Sequence, residues 1–132
     1  MLEHTLLVIK PDGVERKLVG KILSRFEEKD FKIIQLKMFH FEKEQAEEFY
    51  LPHCEKPFFS SLVKFIISGN VVAVIVEGTN AIKVVRQMLG ATISYEAAPG
   101  TIRGDYGLGL KDNVIHASDS QESFDREYSI IF

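Results

Sequence analysis

Apolar residues recur along the chain in two periods, and the periods alternate. Thr5–Lys10 holds a continuous apolar run, Leu6-Leu7-Val8-Ile9, which ends at Lys10-Pro11-Asp12-Gly13. That pattern predicts a strand buried on both faces and running into a turn. Val19, Ile22, Leu23 and Phe26 then recur at i, i+3, i+4 and i+7, the stripe of an amphipathic helix. From Ile34 to His40 the period becomes two: Ile34, Leu36, Met38 and His40 alternate with Gln35, Lys37 and Phe39, predicting a half-buried strand. Ala46, Phe49 and Tyr50 make a short helix face. Phe59, Leu62, Val63 and Ile66 make a longer one that stops near Ser68-Gly69. Val71–Val76 reads as a second fully buried strand, and Ala81, Val84, Val85, Met88 and Leu89 as another helix stripe, closed by Gly90. Tyr95–Lys111 is rich in glycine, has no clear period and reads as a long ordered loop, a class of segment that is commonly functional. Val114–His116 is a short strand. Ser118-Asp119-Ser120 then offer N-cap side chains to a last helix carrying Phe124 and Tyr128.

The order is β-α-β-(α-α)-β-α-loop-β-α. Alternation of this kind, with the strands the more apolar elements, predicts an α/β fold of the α+β sandwich type. The expected architecture is ferredoxin-like, a four-stranded antiparallel sheet covered by helices. With 132 residues the chain reads as one domain over 1–132. The strand Ile33–His40 leaves a sheet edge to be covered, and Phe39 and Phe41 fall on its otherwise polar face. Pairing that strand across a two-fold axis would bury both rings, so a homo-oligomer built from dimers is expected.

Composition narrows the function. A 45% hydrophobic and 27% charged chain is that of a folded domain, not a disordered one. No apolar run approaches the ~20 residues of a membrane span. Met1-Leu2-Glu3-His4 lacks the basic-then-apolar pattern of a secretory signal. Cys54 stands alone, so there is neither an internal disulfide nor a CxxC metal pair. These features together read as a cytoplasmic protein with no membrane association. A net charge of −3 gives no general pull toward nucleic acid, so any phosphate binding must come from a local cluster.

The phosphate-loop, dinucleotide, HExxH, EF-hand and zinc spacings are all absent. Of the four histidines, His4 lies at a terminus, His40 at a strand end and His53 in a loop flanked by proline. His116 differs in its company: it ends a strand, precedes Ala117-Ser118-Asp119-Ser120 and faces a helix carrying Glu127. A carboxylate on one ring nitrogen fixes the tautomer and leaves the other nitrogen as a nucleophile. Read on their own, most of the other candidates have plainer roles. Lys10 is a strand-end lysine, Arg86 a surface helix charge, Arg103 a loop charge, Phe58 a core partner of Phe59, and Ser118 a helix cap.

Four segments in order change that picture: Ile9-Lys10-Pro11-Asp12-Gly13-Val14, Pro57-Phe58-Phe59, Pro99-Gly100-Thr101-Ile102-Arg103-Gly104-Asp105, and Asn113-Val114-Ile115-His116-Ala117-Ser118-Asp119-Ser120. Together they resemble the nucleoside diphosphate kinase family over almost the whole chain. The resemblance implies a ping-pong enzyme in which His116 takes the γ-phosphoryl of ATP or another nucleoside triphosphate and passes it to a diphosphate, with broad base and sugar specificity. It implies that Glu127 holds the second ring nitrogen, with Ser118 beside the histidine. Lys10 would reach the sugar hydroxyl and the transferred group, and the Tyr50 hydroxyl would point toward histidine and phosphate. Arg86, Thr92 and Arg103 would bind phosphates, Asn113 the ribose, and Phe58 would stack on the base. Mg²⁺ would ride on the nucleotide phosphates with no protein metal site. A homo-oligomer is implied, a hexamer in preference to a tetramer, with nucleic acid not required as a partner. The chain departs from the family pattern at Ile93-Ser94, at Ala117 in place of a commoner glycine, at Asp112, and in ending at Phe132.

Overall fold

A computed structural model describes all residues, Met1–Phe132. The strands are β1 (Leu2–Ile9), β2 (Lys32–Phe39), β3 (Val71–Thr79) and β4 (Ile115–Ala117). They form one sheet in the order β2-β3-β1-β4, and every neighbouring pair is antiparallel. This is the ferredoxin-like α+β sandwich that the alternation predicts. The helices are α1 (Pro11–Glu15), α2 (Val19–Glu28), α3 (Lys43–Phe49), α4 (Phe59–Ile66), α5 (Ala81–Leu89), α6 (Ile102–Tyr106) and α7 (Gln121–Ile131). No helix is long and apolar enough to cross a membrane.

The sheet is covered on both faces, which is why β1 and β3 are apolar at consecutive positions rather than alternate ones. On one face Leu7, Ile9, Val72, Val74 and Val76 pack against Ile22 and Phe26 of α2 and Val85 and Leu89 of α5. On the other, Leu6, Val8, Ala73 and Ile75 pack against Phe49 of α3, Val63 and Ile66 of α4 and Ile131 of α7.

Three local expectations differ. The turn expected after Lys10 is the helix α1: Pro11 stands in its first turn, where a missing N–H costs nothing. The expected loop Tyr95–Lys111 contains α6, begun by Thr101, whose side chain accepts the Gly104 N–H. A 3₁₀ turn covers Ser94–Glu96. Such short helices leave no period to read.

β2 is the outer strand, as expected, but it is exposed along most of its length rather than half-buried. A register shift between Ile33 and Gln35 breaks the simple alternation. Leu36 and Met38 are 56% and 59% exposed. Phe41 is instead buried within its own chain, against Phe39 and Phe49 at ring distances of 4.8 and 5.2 Å. Phe39 is partly covered by the same cluster.

Candidate active site

Alternation along β4 sends Ile115 and Ala117 into the core layer beneath α2 and α5 and turns His116 to the opposite face. There its ring meets Phe49 of α3 edge-on, centroids 4.9 Å apart. Across from it runs α7, begun by the Ser120 side chain, which accepts the Ser123 N–H. Glu127 and Ile131, one helical turn apart, form the buried face of α7. This places Glu127 Oε1 3.0 Å from His116 Nε2. Ser118 Oγ donates to the same oxygen at 2.7 Å, and Arg126 lies 3.7 Å from Oε2. Burial alone would push the Glu127 carboxyl up. The His116 interaction, the Ser118 hydroxyl and Arg126 outweigh that and hold it below its ordinary value. An ionised carboxylate only accepts, so Nε2 carries a proton, and in the neutral imidazole the lone pair then lies on Nδ1.

Three cations converge near this ring. Lys10, just past the end of β1, is buried; its Nζ donates to Asn113 Oδ1 at 2.8 Å and the Lys111 carbonyl at 3.4 Å. Asn113 Nδ2 in turn donates to the Thr92 carbonyl at 2.8 Å. Arg86 of α5 donates to the Ala117 carbonyl at 3.1 Å. Arg103 of α6 donates to the Ile115 carbonyl at 2.8 Å and the Gly90 carbonyl at 3.2 Å. The two guanidiniums are therefore anchored on the carbonyls that flank His116. Burial, with Arg103 nearby, lowers the Lys10 ammonium to about 8 despite Asp12 and Asp112. Burial and Arg86 lower Arg103 to about 10, against a smaller opposing effect of Tyr50. Cations crowded in this way are a preorganised seat for a polyanion. Tyr50 closes the floor. Its hydroxyl is buried with no hydrogen-bond partner in the chain. Burial, then Glu127 and Asp12, push it above the ordinary phenol range, so it remains a neutral donor.

These groups line one cavity of about 360 Å³. Lys10, Tyr50, Arg86, Thr92, Arg103, Asn113, His116 and Glu127 form its charged end and Phe58 its mouth; Ser118 stands behind Glu127. The residue pattern alone puts Phe58 in the core beside Phe59, but only Phe59 packs there, and Phe58 is 37% exposed. Leu62 and Leu110 face the same mouth. Neither they nor Phe49 stand out as site residues in the sequence: Phe49 and Leu62 read as core positions of helices, and Leu110 lies in a stretch with no period. His53 and Arg126 also line the cavity. No three His, Cys, Asp or Glu side chains come together as a metal cage.

The departures from the family pattern are accommodated. Ala117 is absent from the positive-φ residues, so no glycine is required there. Ser94 is buried and ties its loop down, its Oγ donating to the Gly109 carbonyl at 2.9 Å.

What the fold and this cavity define together is a cationic seat for a polyanion beside a histidine. The family model described as nucleoside diphosphate kinase matches residues 3–132. The chain is 58% identical to the nucleoside diphosphate kinase of Staphylothermus marinus over 98% of this chain and 92% of that protein. It is 56% identical to that of Archaeoglobus fulgidus over 99% and 87%. Among solved structures, the Aquifex aeolicus nucleoside diphosphate kinase superposes with a TM-score of 0.97 at 50% identity, covering 100% of this chain and 96% of that one. The Halobacterium salinarum enzyme, solved in complex with CDP, gives 0.96 at 46% identity, covering 100% and 88%. The chain belongs to the nucleoside diphosphate kinase family. It is a nucleotide-binding transferase that takes phosphate from a nucleoside triphosphate.

Proposed function

We propose that His116 is the phosphoryl carrier of a ping-pong cycle. In the first half, the Nδ1 lone pair attacks the γ-phosphorus of a nucleoside triphosphate. The P–N bond forms as the bond from γ-phosphorus to the β,γ-bridging oxygen breaks, and the diphosphate leaves with that electron pair. The second half reverses this with a terminal oxygen of another diphosphate. Glu127 offsets the positive charge that develops on the ring and keeps the proton on Nε2. Arg86 and Arg103 would hold phosphate oxygens by forked hydrogen bonds, with Thr92 beside them. Lys10 and the Tyr50 hydroxyl would donate toward the transferred group, and Asn113 toward the ribose. The observation that carries the proposal is the 3.0 Å contact of Nε2 with Glu127, which leaves Nδ1 as the unengaged ring nitrogen.

Of the two carboxylates that line the cavity, Glu127 is engaged by His116 and Ser118 and Asp119 by Ser123, and no three such groups cluster, which fits a metal that arrives on the nucleotide rather than one caged by the chain. Mg²⁺ bound through phosphate oxygens and water would offset their charge. The base would lie between Phe58 and Leu110, a stacking slot that reads a π face rather than hydrogen-bonding edges. The nearby Lys111 ammonium is already bonded to Ser61 Oγ at 3.1 Å. This supports broad specificity, checked by comparing kcat/KM for ADP, GDP, CDP, UDP and dTDP. A spread beyond about a thousandfold, roughly 4 kcal/mol, would contradict it.

The chain is proposed to act in the cytoplasm as one nucleoside diphosphate kinase domain. It is also proposed to assemble from dimers joined through β2, a hexamer in preference to a tetramer. The exposed Leu36 and Met38 on an unpaired outer strand support the dimer. Nothing in the cycle calls on nucleic acid.

The mechanism is tested by incubating the protein with γ-labelled ATP and removing nucleotide. Label should remain on His116 through a bond labile in acid and stable in base, and His116→Ala should lose both label and turnover. Steady-state transfer by that variant would overturn the mechanism.

A further inference from the structure

Asp12 sits outside the cavity and takes no part in the cycle above, yet it is built into the segment that presents Asn113 and His116. Val114, between them, has a backbone φ of +62°. For a β-branched side chain that region is strongly disfavoured. The Ile115 N–H donates to the Asn113 carbonyl at 2.8 Å, closing a three-residue turn with Val114 at its centre. A turn of this kind with positive φ at the centre is the rare, strained form. Strain of this kind persists only where the surroundings over-determine it.

The surroundings here belong to α1 and the residue before it. The Val114 N–H donates to Asp12 Oδ2 at 3.2 Å. The Val114 carbonyl accepts the Lys10 N–H at 2.8 Å. Gly13 allows the approach, since a Cβ there would stand 3.2 Å from that carbonyl oxygen and 2.9 Å from Ile9 Cγ2. The other Asp12 oxygen, Oδ1, is buried with no partner. A carboxylate kept in such a place, with one oxygen unsatisfied, costs stability unless the bond it makes is needed.

We infer that Asp12 is a positioning residue that clamps the strained turn at Val114, setting Asn113 toward Lys10 on one side and His116 toward Glu127 on the other. The inference rests on the proposed role of His116, and its test distinguishes the two.

Releasing the turn should misplace His116 and slow phosphoryl transfer. A conformational cost of the usual size corresponds to about fivefold to 150-fold in rate. Asp12→Ala should lower kcat on that scale, about thirtyfold, with a smaller change in the KM for nucleotide. Asp12→Asn keeps an acceptor for the Val114 N–H and should stay within about fivefold of wild type. The decisive readout is a pair of backgrounds. Val114→Gly makes φ > 0 easy, whereas Val114→Ala truncates almost as much but keeps the Cβ. Asp12→Ala should cost less than about threefold when combined with Val114→Gly and about thirtyfold when combined with Val114→Ala. Should Asp12→Ala alone fail to fold, folding restored by Val114→Gly and not by Val114→Ala reads the same coupling. Equal penalties in both backgrounds, or Asp12→Ala within about threefold of wild type, would overturn the clamp. Neither outcome bears on His116, whose role fails only if His116→Ala keeps turning over.

Discussion

At the level of single residues, the site depends on two ionisable groups whose surroundings act oppositely on their charge, favouring it at Glu127 and opposing it at Lys10. Glu127 is kept ionised by His116, Ser118 and Arg126. Glu127→Gln removes the charge from a bond worth roughly 1.5–3 kcal/mol, so kcat should fall about tenfold to a hundredfold. KM should move little, because Glu127 acts through the imidazole. A loss confined to KM would show that Glu127 binds nucleotide instead. The folded pKa of Glu127 lies below its unfolded value. Its contribution to stability is therefore present above the ordinary carboxylate range and lost as pH falls through the lowered folded value. Lys10 is shifted in the same direction, which for a cation disfavours the charge. Burial lowers it to about 8, so between there and 10.5 the folded chain holds fewer protons than the unfolded one, and this group makes the fold more stable as pH rises. Activity runs against stability in that window. In the free enzyme kcat/KM should decline above about pH 8 as Lys10 loses its charge. The limb in kcat should lie higher, since bound phosphates favour the ammonium. A kcat/KM profile flat from pH 7 to about 10 would contradict a role for the Lys10 charge.

At the level of elements, the sequence is most informative where burial is simple. β1, β3, α2, α4 and α5 are legible because each buries one face or two in a regular period. His116 is legible because it falls in a short apolar strand pattern with Glu127 on a following helix, although it stands at the middle of β4 and not at its end. β2 is legible as a strand and as an edge but not in its exposure. Leu36 and Met38 pair with Val74 and Val72 of the core yet stay exposed on the outer strand, and no period marks the register shift at Ile33/Gln35. α6 and the 3₁₀ turn before it are too short to carry a period, which hides how Arg103 is aimed. Phe49 and Leu62 look like core in sequence because they are half core: each packs inward and also borders the cavity. The clamp at Val114 is not legible, since nothing in Asn-Val-Ile announces a positive φ. The exposure of β2 also bears on assembly. Leu36→Lys places a charge on the apolar strip of the edge and should shift the particle toward single chains, with the cavity left intact. Light scattering coupled to size exclusion reads this out. An unchanged mass for Leu36→Lys, together with a wild-type mass of one chain, would contradict an assembly through β2.

At the level of the whole molecule, the fold brings three separated stretches to the α3–α4 region that carries Tyr50 and Phe58. These are the end of β1 with Lys10, the α5–α6 region with Arg86 and Arg103, and β4 with α7. β4 is short, and its register with β1, Val8 opposite His116, ties His116 to the fully buried half of that strand. The carbonyls on either side of His116 hold the two arginines. His116, Arg86 and Arg103 are thus held as one body, the preorganisation that the proposed phosphoryl transfer requires. The central claim is that this body stores a phosphoryl group between two nucleotides that are never bound together. It is tested most directly by a separated half-reaction. The protein is loaded with γ-labelled ATP, freed of all nucleotide, and then given GDP alone. The account predicts labelled GTP in up to one equivalent per chain, formed within the turnover time. Transfer that occurs only when ATP and GDP are present together, with no label carried by the nucleotide-free protein, would contradict it.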